Sequence, residues 1–222
     1  MTFDLIIFDC DGTLVDSEYL NCVSTSEVII DAGLPRYSVD VIYAEMVGMS
    51  LDNIYKKIEA ESNITLPPDM TQRIIDRVDA NAEELMKRIE GARDTVAWAA
   101  DKYTMCVASN GERQNVMRSL EITTLNDFFK EDHIFTAANV KAGKPAPDLF
   151  LHAAAKTGGV ALEKCVVIED TVVGITAAKA AGMTAIGFTA AHSKIEGYAD
   201  RLKAAGADHI MTHWSEFQAL IT

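Results

Sequence analysis

Six short apolar runs punctuate the chain: Leu5–Phe8, Met105–Ala108, Ile134–Phe135, Cys165–Ile168, Ala185–Phe188 and His209–Met211. Each is too short for a buried helix, is partly β-branched or aromatic, and is separated from the next by helix-like sequence. That alternation predicts the strands of a parallel sheet joined by helical crossovers. The interval between the first and second runs is different. From Asp16 to about Gly91 only helical periodicity is present: Ile74, Val78, Ala82, Leu85 and Ile89 recur at spacings of three or four, with Ile75 and Met86 widening the stripe. Pro67-Pro68 precede that stripe and Gly91 follows it, as start and stop signals do. One crossover requires only about a dozen residues, so a separate helical domain inserted into an α/β core is expected. Residues 1–16 and 91–222 would form the core and residues 17–90 a cap, with joints near Val15–Ser17 and Glu90–Asp94. The Lys203–Ala207 segment, with its Ala-Ala-Gly, reads as a helix end leading into the last strand.

Composition narrows the class. At 222 residues, with 49% hydrophobic and 24% charged side chains, the chain has ordinary globular usage, which excludes disordered and collagen-like classes. Its formal net charge of −13 would repel a nucleic-acid backbone, so no nucleic-acid partner is expected. A small phosphorylated ligand remains compatible, because a local cation overrides the global field. No apolar run approaches the length of a membrane span, and the acidic N-terminus does not read as a signal peptide. Cys10, Cys22, Cys106 and Cys165 form no C-x-x-C pair and no zinc spacing, and Cys10, Cys106 and Cys165 lie in or beside apolar runs. Buried free thiols in a reducing, cytoplasmic compartment are expected.

Acidic and hydroxylic residues close several of the apolar runs. Phe8-Asp9-Cys10-Asp11-Gly12-Thr13 places two carboxylates after the first run, where the turning chain can aim both at one pocket. Val107-Ala108-Ser109-Asn110-Gly111 supplies a hydroxyl and backbone amides suited to a phosphoryl oxygen. Lys144 sits between Gly143 and Pro145 at a helix entrance, which is no P-loop, because Ala138 stands where the first glycine would be. Val166-Val167-Ile168-Glu169-Asp170 ends a fourth run in two adjacent acids. Taken singly, each of these is as compatible with an ordinary turn or a solvated acid pair. In a parallel sheet, however, the C-terminal strand ends share one edge, and ligands bind there. Four carboxylates gathered at that edge repel one another unless a cation neutralises them, and an all-oxygen donor set suits Mg2+.

The ordered set Asp9-x-Asp11-Gly12-Thr13, Ser109, Lys144 and Glu169-Asp170 resembles the haloacid dehalogenase-like superfamily over nearly the whole chain. The helical insert resembles the first type of cap in that superfamily, as found in sugar-phosphate phosphatases and β-phosphoglucomutase. The resemblance implies a Rossmann-like parallel sheet with helices on both faces. It implies Asp9 as nucleophile and Mg2+ ligand, and Asp11 as general acid/base whose backbone carbonyl also meets the metal. Asp170 would ligate Mg2+ and Glu169 would hold the metal or its waters. Ser109 and Lys144 would hold phosphoryl oxygens, with Lys144 also fixing Asp9. Gly12, Thr13, Asn110, Gly111 and Arg113 from the core, and Glu18, Gly48 and Ser50 from the cap, are the expected substrate contacts.

Asp11 argues for phosphoryl transfer, since the dehalogenases lack that second acid. Lys56, Lys57 and Lys87 fit no imine-forming pattern of the phosphonate hydrolases. The mutases resembling this chain carry an arginine after the Gly-x-Ser of their cap loop, whereas Leu51 follows Gly48-Met49-Ser50 here. The expectation is therefore a Mg2+-dependent, monomeric phosphatase of a small phosphorylated metabolite, a sugar or sugar-acid phosphate, acting through an aspartyl-phosphate intermediate. The alternatives are a hexose-phosphate mutase or a non-catalytic phosphate-binding regulator.

Overall fold

The structure, a computed structural model, describes residues 3–47, 49–193 and 195–222. Contacts divide the chain into two compact units: residues 1–16 with 87–222, and residues 17–86.

Among the described residues, the larger unit is built on six parallel strands, β1 (Leu5–Phe8), β4 (Thr104–Ser109), β5 (Ile134–Thr136), β6 (Cys165–Glu169), β7 (Thr184–Phe188) and β8 (His209–Met211), in the order β5-β4-β1-β6-β7-β8. β1 lies inside the sheet because the chain winds outward on one side through β4 and β5, then returns to build β6, β7 and β8 on the other. That reversal makes the C-terminal end of β1 the topological switch point, where ligands bind in open α/β sheets. Alternation along β1 divides the core in two. Ile6 and Phe8 pack with Val96, Val116, Trp214 and Phe217 on one face, and Leu5 and Ile7 pack with Leu149, Phe150 and Ile175 on the other. Both faces are thus covered by helices, which is why the central strands read as unbroken apolar runs. All four cysteines are buried free thiols. No helix among the described residues is long and apolar enough to cross a membrane.

Among the described residues, the smaller unit holds four helices, α1 (Glu18–Asp31), α2 (Val39–Met46), α3 (Leu51–Ser62) and α4 (Met70–Leu85), around a core that includes Ile29, Tyr37, Ile42, Met46, Ile58, Met70 and Ile74. The apolar stripe that predicts a helix through Ile89 overruns its end. Lys87–Arg88, strand β3, pairs antiparallel with β2 (Val15–Asp16), and Ile89 N–H donates to Leu14 O at 3.0 Å. Ile89 is therefore buried in the core of the larger unit, and Ile75 is exposed. The return crossing consequently falls at Met86–Lys87, a few residues before the expected joint.

Candidate active site

β1 delivers Asp9 to the switch point, where its N–H donates to Ile168 O of β6 at 3.0 Å. The next residues fold back at once: Leu14 and Val15 N–H both donate to Cys10 O, and Gly12 N–H donates to Val15 O at 2.8 Å. Gly12 has φ +78°, and a Cβ there would overlap Asp170 Oδ2, so only glycine lets this turn close against the acid. Cys10 faces the core, and burial pushes its thiol up, so it fills space as a neutral group. Asp11, by contrast, is exposed, with its Oδ2 3.8 Å from where a Cβ on Gly111 would stand.

Lys144 arrives from the loop before α7 (Asp148–Lys156 of the chain; α5 is Ala92–Ala100 and α6 is Arg113–Ile122). Asn110 fixes that loop from both sides: Lys144 N–H donates to Asn110 Oδ1 at 2.9 Å, and Asn110 Nδ2 donates to Lys144 O at 3.0 Å. A Cβ on Gly143 would stand 2.6 Å from Asn110 Oδ1, so the clasp needs glycine there. Thus secured, Lys144 Nζ donates to Asp9 Oδ1 and to Glu169 Oε2, both at 2.6 Å, with its side chain only 3% exposed. Its ammonium also lies 5.0 Å from the Phe150 ring centroid.

Glu169 is held at its other oxygen as well. Oε1 accepts from Thr171 N–H at 3.1 Å and from Thr171 Oγ1 at 2.7 Å, while the same hydroxyl caps α8 (Val172–Ala180) by accepting from Gly174 N–H. The Glu169 carboxyl lies so close to this helix that a Cβ on Gly174 would overlap its Cδ. Asp170 is approached by Thr13 Oγ1 at 3.4 Å, by His192 Nε2 at 2.7 Å, and at its backbone carbonyl by Tyr198 OH at 2.9 Å. At the end of β4, buried Ser109 accepts from Gly111 N–H at 3.0 Å through its hydroxyl.

Asp9, Glu169 and Asp170 each offer one oxygen within 4.8 Å of the others, and all three are buried. Burial, then Glu169, pushes the Asp9 carboxyl well above its ordinary range, against the pull of Lys144; burial and Glu169 do the same to Asp170. Burial alone would lower Lys144, but Asp9 and Glu169 outweigh it and hold the ammonium above its usual value. One lysine facing three carboxylates leaves a formal charge of −2, which one divalent cation matches. The hard oxygen donors suit Mg2+ by charge and chemistry.

The remaining expected contacts lie as follows. The Asp11 carboxylate is not one of the three that converge; the metal contact expected of Asp11 is its backbone carbonyl. Arg113 directs its guanidinium to the backbone carbonyls of Ile134 and Glu131, closing acceptors beside the edge strand, so it is not presented to a ligand. Asn110 uses its amide on the Lys144 backbone, as described. Glu18 opens α1, and Ser50 caps α3 by accepting from Asn53 N–H at 3.4 Å; both belong to the helical unit. Gly48 lies outside the described residues. Conversely, Gly174, Thr171, His192 and Tyr198 hold the acids without having been singled out as site residues. The glycine four residues past a strand-terminal acid pair, in the first turn of α8, is the one signal in the sequence that points to this packing.

Residues 6–188 match the haloacid dehalogenase-like hydrolase family. The 6-phosphogluconate phosphatase of Escherichia coli (strain K12) is 28% identical over 188 residues, covering 84% of this chain and 83% of that protein. The fructose-1-phosphate phosphatase YqaB of the same organism is 32% identical over 183 residues, covering 82% of this chain and 94% of its own length. Among solved structures, a conserved haloacid dehalogenase-like protein, ATU0790 from Agrobacterium tumefaciens str. C58, superimposes with a TM-score of 0.83 at 36% identity, covering 99% of this chain and 97% of that one.

Proposed function

The chain belongs to the haloacid dehalogenase-like hydrolases and is a phosphatase, and we propose that it uses Mg2+ to hydrolyse a phosphorylated sugar or sugar acid through an aspartyl-phosphate on Asp9. The observation that carries this reading is the buried ammonium of Lys144, shared at 2.6 Å between Asp9 and Glu169. It fixes one oxygen of Asp9 and leaves the carboxylate oriented at the end of β1.

Asp9 attacks phosphorus, forming an Asp9 Oδ–P bond as the bond from phosphorus to the sugar oxygen breaks. Asp11, exposed beside the strand ends, donates a proton to that leaving oxygen. Its carboxylate then takes a proton from water, which attacks the same phosphorus and releases Asp9 and inorganic phosphate. The Ser109 hydroxyl, already accepting from Gly111 N–H, is oriented to donate to a phosphoryl oxygen, and Lys144 offsets the developing negative charge. Mg2+ held by Asp9 and Asp170, with Glu169 supporting it through Lys144 and Thr171, would supply charge neutralisation to the phosphoryl group.

The sugar-phosphate substrate class rests on the two Escherichia coli relatives, whose names specify phosphorylated sugar acids and sugars. We place the enzyme in the cytoplasm as a monomer. A test is phosphate release from an aryl phosphate in Mg2+ and in EDTA, followed by a panel of hexose, hexitol and sugar-acid phosphates. Release that needs Mg2+, with at least one sugar phosphate turned over faster than the aryl ester, supports the reading. Conversion of a hexose phosphate to its isomer without phosphate release would replace it with the mutase.

A further inference from the structure

Asp170 is gripped by two residues from one short segment that none of the strand-terminal motifs includes. The segment leaves β7 at Thr189, whose N–H donates to Met211 O at 3.0 Å. Three successive turn bonds then carry it forward: His192 N–H to Thr189 O at 3.0 Å, Ile195 N–H to His192 O at 2.9 Å, and Tyr198 N–H to Ile195 O at 3.3 Å. Their result is that His192 and Tyr198 stack, with ring centroids 4.2 Å apart and planes inclined by 35°. From that stack His192 Nε2 meets Asp170 Oδ2 at 2.7 Å, and Tyr198 OH donates to Asp170 O at 2.9 Å. One residue therefore fixes the side chain of the acid and the other its backbone.

We propose that His192 and Tyr198 are positioning residues that hold Asp170 in its cation-binding orientation and so set the affinity of the protein for Mg2+. The proposal rests on the reading above in which Asp170 ligates the cation. Its physical ground is that a carboxylate with a free rotor must be ordered when the cation binds, whereas one already held by a ring nitrogen, on a backbone carbonyl fixed by a phenol, has lost that freedom beforehand. Neither residue needs to touch the substrate or the reacting atoms. Groups that hold a metal ligand in this way typically change affinity by about 10- to 100-fold when removed.

The test is calorimetric titration of the metal-free full chain with MgCl2, without substrate, on wild type, His192→Ala, His192→Gln and Tyr198→Phe. His192→Ala should weaken Mg2+ binding by about tenfold or more. His192→Gln, whose amide nitrogen can reach the same oxygen, should recover most of that loss. Tyr198→Phe keeps the stack and drops only the bond to Asp170 O, so its effect should be the smaller. In turnover, the Mg2+ concentration for half-maximal rate should rise in the same order, with kcat at saturating Mg2+ changed far less. A folded His192→Ala with wild-type or tighter affinity would overturn the proposal, as would a His192→Gln as weak as the alanine. If His192→Ala does not fold, the glutamine and phenylalanine variants decide by the same criteria: wild-type affinity in Tyr198→Phe together with a tenfold loss in His192→Gln would count against it. A wild type that binds no Mg2+ would instead remove the underlying cation reading, a failure visible before any variant is made.

Discussion

The two units use the same carboxylate chemistry to opposite ends. In the helical unit, acids and bases are matched at half-exposed positions. Arg77 bridges Glu27 and Asp31, at 2.9 Å each, and Glu61 collects Lys57, Arg36 and the Tyr37 hydroxyl. Hydrogen bonds from Arg77 hold the Glu27 carboxyl below its usual range, and those from Lys57 do so for Glu61. At the switch point of the sheet, three buried carboxylates share one lysine, and Asp9 and Asp170 are pushed the other way. Matched, exposed charge fastens helices weakly and asks for nothing further. Unmatched, buried charge is a standing cost to the fold, tolerated because a cation and a phosphoryl group would meet it there.

Asp9 carries the largest expected effect. Asp9→Asn should lower turnover by roughly a thousandfold or more without lowering the thermal midpoint of the metal-free protein, since it removes one of three crowded charges. Steady-state rates on an aryl phosphate and a melting curve check both halves, and near wild-type turnover would end the covalent account.

Next in size is Gly174→Ala. The added methyl would overlap the Glu169 carboxyl, forcing that acid and the lysine it holds to shift. Overpacking should cost about 1–3 kcal/mol in denaturant unfolding, and the displaced Lys144 about a hundredfold in kcat. If both stay at wild-type values, the fit of Glu169 against α8 does not matter to the site.

The smallest effect belongs to the helical unit. Arg77→Met should lower stability by no more than about 1 kcal/mol at neutral pH, because the pair is solvent-screened, and leave aryl-phosphate turnover within about twofold of wild type. The sign of its pH dependence follows from the lowered Glu27 carboxyl. Its contribution is present above the unfolded value of about 4.3 and is lost as pH falls through the lower folded value. Urea midpoints of variant and wild type should therefore converge as acidification protonates Glu27 in the folded state too; a gap that persists in acid would mean that Arg77 acts through packing.

Much of this contrast lies open in the sequence, and its limits have physical causes. The four interior strands are visible because their runs are apolar on both faces, which only a doubly covered strand sustains. The β2–β3 ladder is not, because two residues on each side carry no periodicity, and Ile89 continues a helical stripe while belonging to the other core. In the same way, the positions of Asp9, Ser109, Glu169 and Asp170 follow from strand ends. The side-chain partners do not. Nothing local tells an arginine that serves an anion from Arg113, which closes two backbone carbonyls, or marks His192 and Tyr198 as partners of an acid more than twenty residues earlier.

Thermal unfolding of Asp170→Asn beside wild type at pH 7, with and without Mg2+, shows whether the acids of the switch point burden the fold until a cation meets them. Raised folded values mean that Asp9 and Asp170 favour the fold at low pH and progressively burden it as pH rises towards those values. Without Mg2+ the asparagine variant should therefore unfold at a higher temperature than wild type. Mg2+ at a hundredfold excess over its dissociation constant should stabilise wild type by about 2.7 kcal/mol and leave the variant nearly unmoved. A variant less stable than wild type without metal, or one that responds to Mg2+ as strongly as wild type does, would contradict the account.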